Sequence, residues 1–215
     1  MLIKPRALLS LLALVALSVP FAQARGNAEA GAEQANALCI ACHGVNGNSV
    51  VAEWPSLAGQ NAAYISEQLR LFRAGHRNNM VMYPLALGLT DEAIADVAAY
   101  YAAQTPTGLE ADPATVAAGE ALYRGGERER GIPSCTSCHG PAGLGNPAAG
   151  YPALRAQHAT YTVKTLQDYA NDQRYVNVTT GEPTRSRNGH IMSVIAKRLT
   201  EEEKVALASY IQGLR

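Results

Sequence analysis

No cysteine of this 215-residue chain lies outside two five-residue motifs, so no thiol is left over for a further site. Beyond the first two dozen residues, no segment is apolar enough to span a bilayer. Lysine plus arginine equals aspartate plus glutamate, 18 against 18, and this gives none of the cationic surplus that nucleic-acid binding requires. No stretch sustains apolar and polar alternation at period two, which argues against a sheet and for an all-α fold. Phosphate-loop chemistry is also missing, because Gly125-Gly126 and Gly143-Leu144-Gly145 lack the strand and helix context it needs. The acidic run Glu201 to Glu203 falls in the first turn of an expected helix, where the dipole favours negative charge.

The two motifs are Cys39-Ile40-Ala41-Cys42-His43 and Cys135-Thr136-Ser137-Cys138-His139. Two cysteines three apart can be alkylated by the two vinyl groups of one haem, and the adjoining histidine can then reach the iron. Cys39, Cys42, Cys135 and Cys138 are therefore expected to tether two covalent haem c groups, with His43 and His139 as iron ligands. A disulfide, a redox dithiol or a zinc site are the competing readings of a lone C-x-x-C. A zinc site would have to draw its ligands from both motifs, and the repeat described next gives each motif its own domain.

Sliding the chain on itself by about 97 residues aligns Pro55-Ser56-Leu57-Ala58-Gly59-Gln60 with Pro152-Ala153-Leu154-Arg155-Ala156-Gln157, Tyr64 with Tyr161, Leu69 with Leu166 and Arg77 with Arg174. The expected organisation is a signal peptide at 1–24, a domain at 25–104, a breaker-rich linker at 105–113 and a second domain at 114–215. Lys4 and Arg6, the apolar run Leu8 to Val19 and Ala22-Gln23-Ala24 form the export signal, cleaved near Ala24 into the periplasm. Cleavage leaves 16 basic residues against 18 acidic, with the acidic excess in the first half. Such a charge dipole can orient docking.

Each half is expected to hold three helices: about 28–37, 62–73 and a last one after Thr90, then about 114–123, 160–170 and a last one after Thr200. Thr200 with Glu203 makes a capping box. Ile94, Val97, Ala98 and Tyr101, and Val205, Ala208 and Ile211, are the expected buried stripes. Gly125 to Pro133 is expected to be a solvated loop.

A haem iron held by one histidine takes a sixth ligand from methionine, from histidine or from nothing. Met82 and Met192 each lie seven residues before the Leu-Thr that opens the last helix, and this shared position selects them. Met80 rivals Met82, and His190 rivals Met192. His76 and His158, unmatched between the halves, are expected to serve at the surface or in hydrogen bonds.

With these motifs the chain resembles the dihaem cytochromes c of the c4 type, tandem pairs of class I cytochrome c domains. The resemblance covers essentially the whole mature chain. It rests also on Trp54-Pro55-Ser56-Leu57-Ala58-Gly59-Gln60, on Leu89-Thr90-Asp91 through Ala98-Ala99-Tyr100-Tyr101, and on Gly125-Gly126 through Gly131-Ile132-Pro133. It implies that Pro55 and Pro152 offer carbonyls to the ligand imidazoles and that the haem pockets face each other across the domain interface. The function it implies is an electron carrier without catalytic residues. Its implied donor is a membrane quinol-oxidising complex and its acceptor a haem-copper terminal oxidase, met by a soluble or peripherally associated protein. The alternatives are a dihaem enzyme, either a peroxidase or a thiosulfate-oxidising protein, and an electron-transfer subunit of a larger oxidoreductase. One departure is the longer segment between Arg174 and Met192, which includes Thr179-Thr180-Gly181-Glu182-Pro183.

Overall fold

The computed structural model describes residues 26–215, and the expected signal peptide lies outside them. The described residues form ten α-helices and a short 3-10 turn, with only three isolated bridges and no named strand. In the first half these are α1 (Ala28–Leu38), α2 (Ile40–His43), the turn Val45–Gly47, α3 (Ala62–Arg73), α4 (Met82–Leu87) and α5 (Asp91–Ala102). The second half repeats them as α6 (Val116–Gly125), α7 (Thr136–His139), α8 (Ala159–Ala170), α9 (Gly189–Ala196) and α10 (Glu201–Gly213).

Two separate cores result. Ile65, Leu69, Ile94, Val97, Ala98 and Tyr101 anchor the first, and Tyr123, Leu166, Tyr169, Leu207, Tyr210 and Ile211 anchor the second. In each half the first and last helices cross so closely that only glycine fits. A Cβ at Gly31 would lie 2.0 Å from the Asp96 carbonyl oxygen, and one at Gly119 would lie 2.0 Å from that of Ala206. Both glycines are the fourth residue of their helix, a match hidden from a 97-residue offset by the different loop lengths.

Two expectations from the sequence need correction. Val205 is 46 % exposed and does not join the stripe of α10. Aligning the helices by their caps sets Val205 opposite Ala95, and Leu207 opposite the buried Val97. Lys204 then takes the place of Ile94: its stem is buried while its ammonium reaches Glu201 at 2.6 Å on the exposed side. The stretch from Gly125 to Pro133 is also more than a solvated loop. Glu127 and Ile132 exchange two 2.8 Å backbone bonds, and the turn they close delivers Ile132, 3 % exposed, into the second core.

The caps are as the sequence requires. Thr90 accepts from the Ala93 amide at 3.1 Å, whereas Thr200 and Glu203 satisfy each other's backbone amides at 3.2 and 2.9 Å. Thr200→Ala removes half of a reciprocal pair, so it should destabilise the second half by about 1 kcal/mol, read as a lower thermal midpoint. Thr90→Ala should cost less, since no acidic side chain returns its bond.

The interface between the halves is built by residues that the repeat aligns. The buried Gln60 amide bonds both the carbonyl and the amide of Ala153, each at 2.8 Å. Its equivalent Gln157 does the same to Ser56, at 2.9 and 3.0 Å. Arg77 donates to the Tyr161 hydroxyl at 3.0 Å, and Arg174 donates to the Tyr64 hydroxyl at 3.1 Å. Asn61 donates to the Tyr151 carbonyl at 2.7 Å, and the His158 ring bonds the Ser49 carbonyl at 2.8 Å, the hydrogen-bonding role expected of His158. The glutamine contacts and the arginine contacts recur with the halves exchanged, a pseudo-twofold relation, whereas the aligned Asn61 and His158 end on different carbonyls. Between them the connecting segment is pinned at both ends. Thr107 donates to Asn48 at 2.7 Å, and the Glu110 carbonyl accepts from Gln212 at 2.6 Å.

Candidate haem sites

Cys39 closes α1, and the single turn of α2 carries Cys42 and His43 inward. The His43 amide donates to the Cys39 carbonyl at 2.9 Å, so the helical turn itself sets the cysteines and the histidine on one side. The second site repeats this, with the His139 amide 2.9 Å from the Cys135 carbonyl. Cys39 packs on the first core and Cys135 on the second.

Both imidazoles are buried, and each has one nitrogen committed. His43 Nδ1 lies 2.9 Å from the Pro55 carbonyl oxygen, and His139 Nδ1 lies 2.9 Å from that of Pro152. Burial pushes both rings below the usual histidine range, and the carbonyl bond offsets this only in part. A neutral ring donating from Nδ1 leaves the Nε2 lone pair available, oriented and made more basic by its carbonyl partner.

The thiols argue against a redox dithiol. Burial raises the Cys39 thiol and pushes Cys135 up to about 11, opposite to the lowered values of reactive C-x-x-C pairs. Among the described residues no three His, Cys, Asp or Glu side chains converge on a point that could hold a metal ion.

Met82 opens α4, with its amide held by the Asn79 side chain at 2.9 Å, and its half-buried side chain packs on the first core. Met80 is 75 % exposed. Met192 lies in the middle of α9, half-buried against the second core, whereas His190 is exposed. His190 and Ile191 line a cleft of about 740 Å³ together with Ile132, Pro133 and Ser134, the residues that lead into Cys135.

Whether these residues suit a haem can be tested on charge. Arg77 and Arg174 are both buried, 8 % and 5 % exposed, and neither has a carboxylate partner: the ion pairs among the described residues use other cations. Arg77 spends two donors on Gln68 and Tyr161 and stacks over Phe72 at 4.3 Å. Arg174 bonds Thr165 and Tyr64, stacks on Tyr169 and keeps a buried Nε without a partner. A buried guanidinium without an anion costs several kcal/mol. Each haem brings two carboxylates, so the donor set fits. Sequence reasoning aligned these arginines without assigning them a role; their matched position in the repeat was the available signal.

Comparison with known proteins agrees with this chemistry. The Cytochrome c family profile matches residues 28–103 and again 116–215. Cytochrome c4 of Pseudomonas aeruginosa is 43 % identical over 211 residues, 97 % of this chain and 98 % of that one. The crystal structure of reduced recombinant cytochrome c4 from Pseudomonas stutzeri superposes with a TM-score of 0.80 at 40 % identity, covering 88 % of this chain and all of the other. A thiosulfate dehydrogenase electron acceptor from Thiomonas intermedia is 36 % identical over 81 % of this chain and 77 % of its own. Two helical units, each with its own C-x-x-C-H turn, buried imidazole and matching relatives, place the chain in the cytochrome c family, among the dihaem cytochromes c4: it carries two covalent haem c groups and transfers electrons without being an enzyme.

Proposed function

We propose that the chain is a periplasmic shuttle passing single electrons from a membrane quinol-oxidising complex towards a haem-copper terminal oxidase, with both irons closed by protein ligands. The observation that carries this reading is the presence, in each half, of a proline-oriented buried imidazole and of a half-buried methionine seven residues before the Leu-Thr that opens the last helix. Cys39 and Cys42 hold one haem, and Cys135 and Cys138 the other. His43 with Met82 would hold one iron, and His139 with Met192 the other. Bound there, each haem supplies a one-electron ferric–ferrous couple, and thioether ligation sets it at a higher potential than a second imidazole would.

The protein's own residues do the rest. Pro55 and Pro152 hold the imidazoles in one tautomer. Arg77 and Arg174 take the haem carboxylates and so satisfy their own buried charge. The domains run over 25–104 and 114–215 with 105–113 between them. The reciprocal bonds of Gln60 and Gln157 keep their relative position constant, which an electron passing between them requires. Export follows cleavage near Ala24. Contact with a membrane-bound partner is peripheral, since none of the described helices is long and apolar enough to cross a bilayer.

A second reading concerns the donor alone. The likeness to a thiosulfate dehydrogenase electron acceptor favours a thiosulfate-oxidising enzyme in place of the quinol-oxidising complex. Reduction of the ferric protein by each candidate donor separates the two.

A visible and near-infrared spectrum with a redox titration tests the reading as a whole. Two low-spin centres are expected, both with the thioether-to-ferric band, titrating as two one-electron steps. Carbon monoxide binding to the reduced wild-type protein, or peroxide turnover by the half-reduced form, would instead mark an open iron and a catalyst.

A further inference from the structure

The segment Tyr175–Arg187, longer than anything between Arg77 and Met82, reaches back onto the first half. The Val178 amide donates to the Gly75 carbonyl at 2.9 Å, and the Thr184 hydroxyl donates to the His76 carbonyl. The contact is close: a Cβ on Gly75 would stand 3.2 Å from Val178 Cγ2. The segment is also closed on itself by the bonds Asn177 to Glu182 and Thr184 to Tyr175, each 2.8 Å. At its end the Arg187 amide donates to the Glu67 carboxylate, on α3 of the first half, at 2.7 Å. The Asn188 side chain then donates to the Ala149 carbonyl at 2.8 Å, Ser186 accepts the Gly189 amide at 2.9 Å, and α9 with Met192 begins.

The arrangement is one-sided. The position that the repeat aligns with Glu67 is Lys164, and its ammonium is taken by Asp168 on its own helix at 2.6 Å. No second-half acid performs for α4 what Glu67 performs for α9. The main-chain bonds at Gly75 and His76 hold the middle of the strap, and Glu67 holds the point where it becomes the ligand-bearing helix.

We propose that Glu67 of the first half is a positioning residue for the second haem site: by holding the Arg187 backbone it fixes the start of α9 and thereby the reach of Met192 to the iron. This rests on the reading of Met192 as the distal ligand. A backbone N–H bonded to a carboxylate is stronger than a neutral bond, and removing the acceptor leaves the amide to water and the strap to fray at that end.

The test uses the holoprotein. Glu67→Ala should open the second site about tenfold more often than in the wild type. The reduced protein would then bind carbon monoxide at one haem per molecule, and the thioether-to-ferric band would lose up to half its intensity, while the other haem keeps its potential. Glu67→Gln retains an acceptor oxygen and should restore most of the band. Lys164→Ala should change nothing. Asn61→Ala, which removes the bond to Tyr151 at the same interface, separates positioning from general loosening. A wild-type band in Glu67→Ala, an effect on both haems, or an equal effect in Asn61→Ala would each overturn the proposal. Met192→Ala in the same series guards the premise. If the full band survives Glu67→Ala while Met192→Ala loses half of it, the role of Glu67 is refuted and the ligand assignment stands; if Met192→Ala keeps the full band, the ligand assignment itself has failed.

Discussion

Replacing Cys135 and Cys138 with alanine is expected to yield a protein with one haem by mass spectrometry and a second half that no longer melts as a cooperative unit. A helical half of this size has a small core, and its central groups presume a prosthetic group. Cys135 packs directly on the core that contains Tyr123, Leu166 and Leu207. His139 is 6 % exposed with Nδ1 on the Pro152 carbonyl, so without a haem its Nε2 would be a buried group lacking its expected partner. Arg174, buried and with an unpartnered Nε, would lose the carboxylate proposed to offset its charge. Because a group that binds only the folded state adds its binding free energy to stability, losing it should cost several kcal/mol, enough to unfold a domain of ordinary stability. The first half should persist with a lowered midpoint, since it loses the partners of Gln60, Asn61 and Arg77 across the interface. Two haems by mass, or an unaltered melt, would refute the assignment of these cysteines.

Met82→Ala and Met192→Ala should each remove half of the thioether band, open one iron to carbon monoxide in the reduced state and lower one midpoint while leaving the other in place. Axial ligation commands a range of roughly 0.8 V across haem proteins, and loss of a thioether should move the affected centre by an appreciable fraction of it, on the order of 0.1 V. Stability should fall by about 1–2 kcal/mol, less than for a fully buried methionine, because both side chains are half-buried. Met80→Ala and His190→Ala are the controls: both side chains are exposed, and both variants should keep two closed irons. A band lost in Met80→Ala instead would move the first ligand by two residues. In a redox titration followed at both centres, the band discriminates: replacement by a harder donor or by water lowers the potential with loss of the band, whereas solvent exposure without ligand loss leaves the band intact.

Much of this was readable from residues alone, and for local reasons. Cap residues act within one turn, so Thr90 and Thr200 announce their helices without help from the rest of the chain. The C-x-x-C-H turn is likewise complete in five residues, and the carbonyls expected from Pro55 and Pro152 stand where the family resemblance implied. The buried stripe of α10 was legible only in part. A lysine stands at the place of Ile94, and its buried stem fills the position while the neighbouring Val205 is exposed. Gly31 and Gly119 were missed because their role is a backbone contact with another helix, which no spacing within their own helix reveals.

What the chain's order of residues determined by itself was therefore covalent or short-range: two C-x-x-C-H turns for two tethered haems, the caps of the last helices and the twofold repetition of one small helical unit. The tertiary structure alone decided what those repeated residues touch. Matched glutamines, tyrosines and arginines meet across 84 to 110 positions of sequence, and the strap of the second half lands on the first through backbone groups and Glu67. Such contacts depend on the packing of whole helices against one another, and a main-chain carbonyl or amide is the same whatever residue bears it, so nothing in the local pattern could identify its partner.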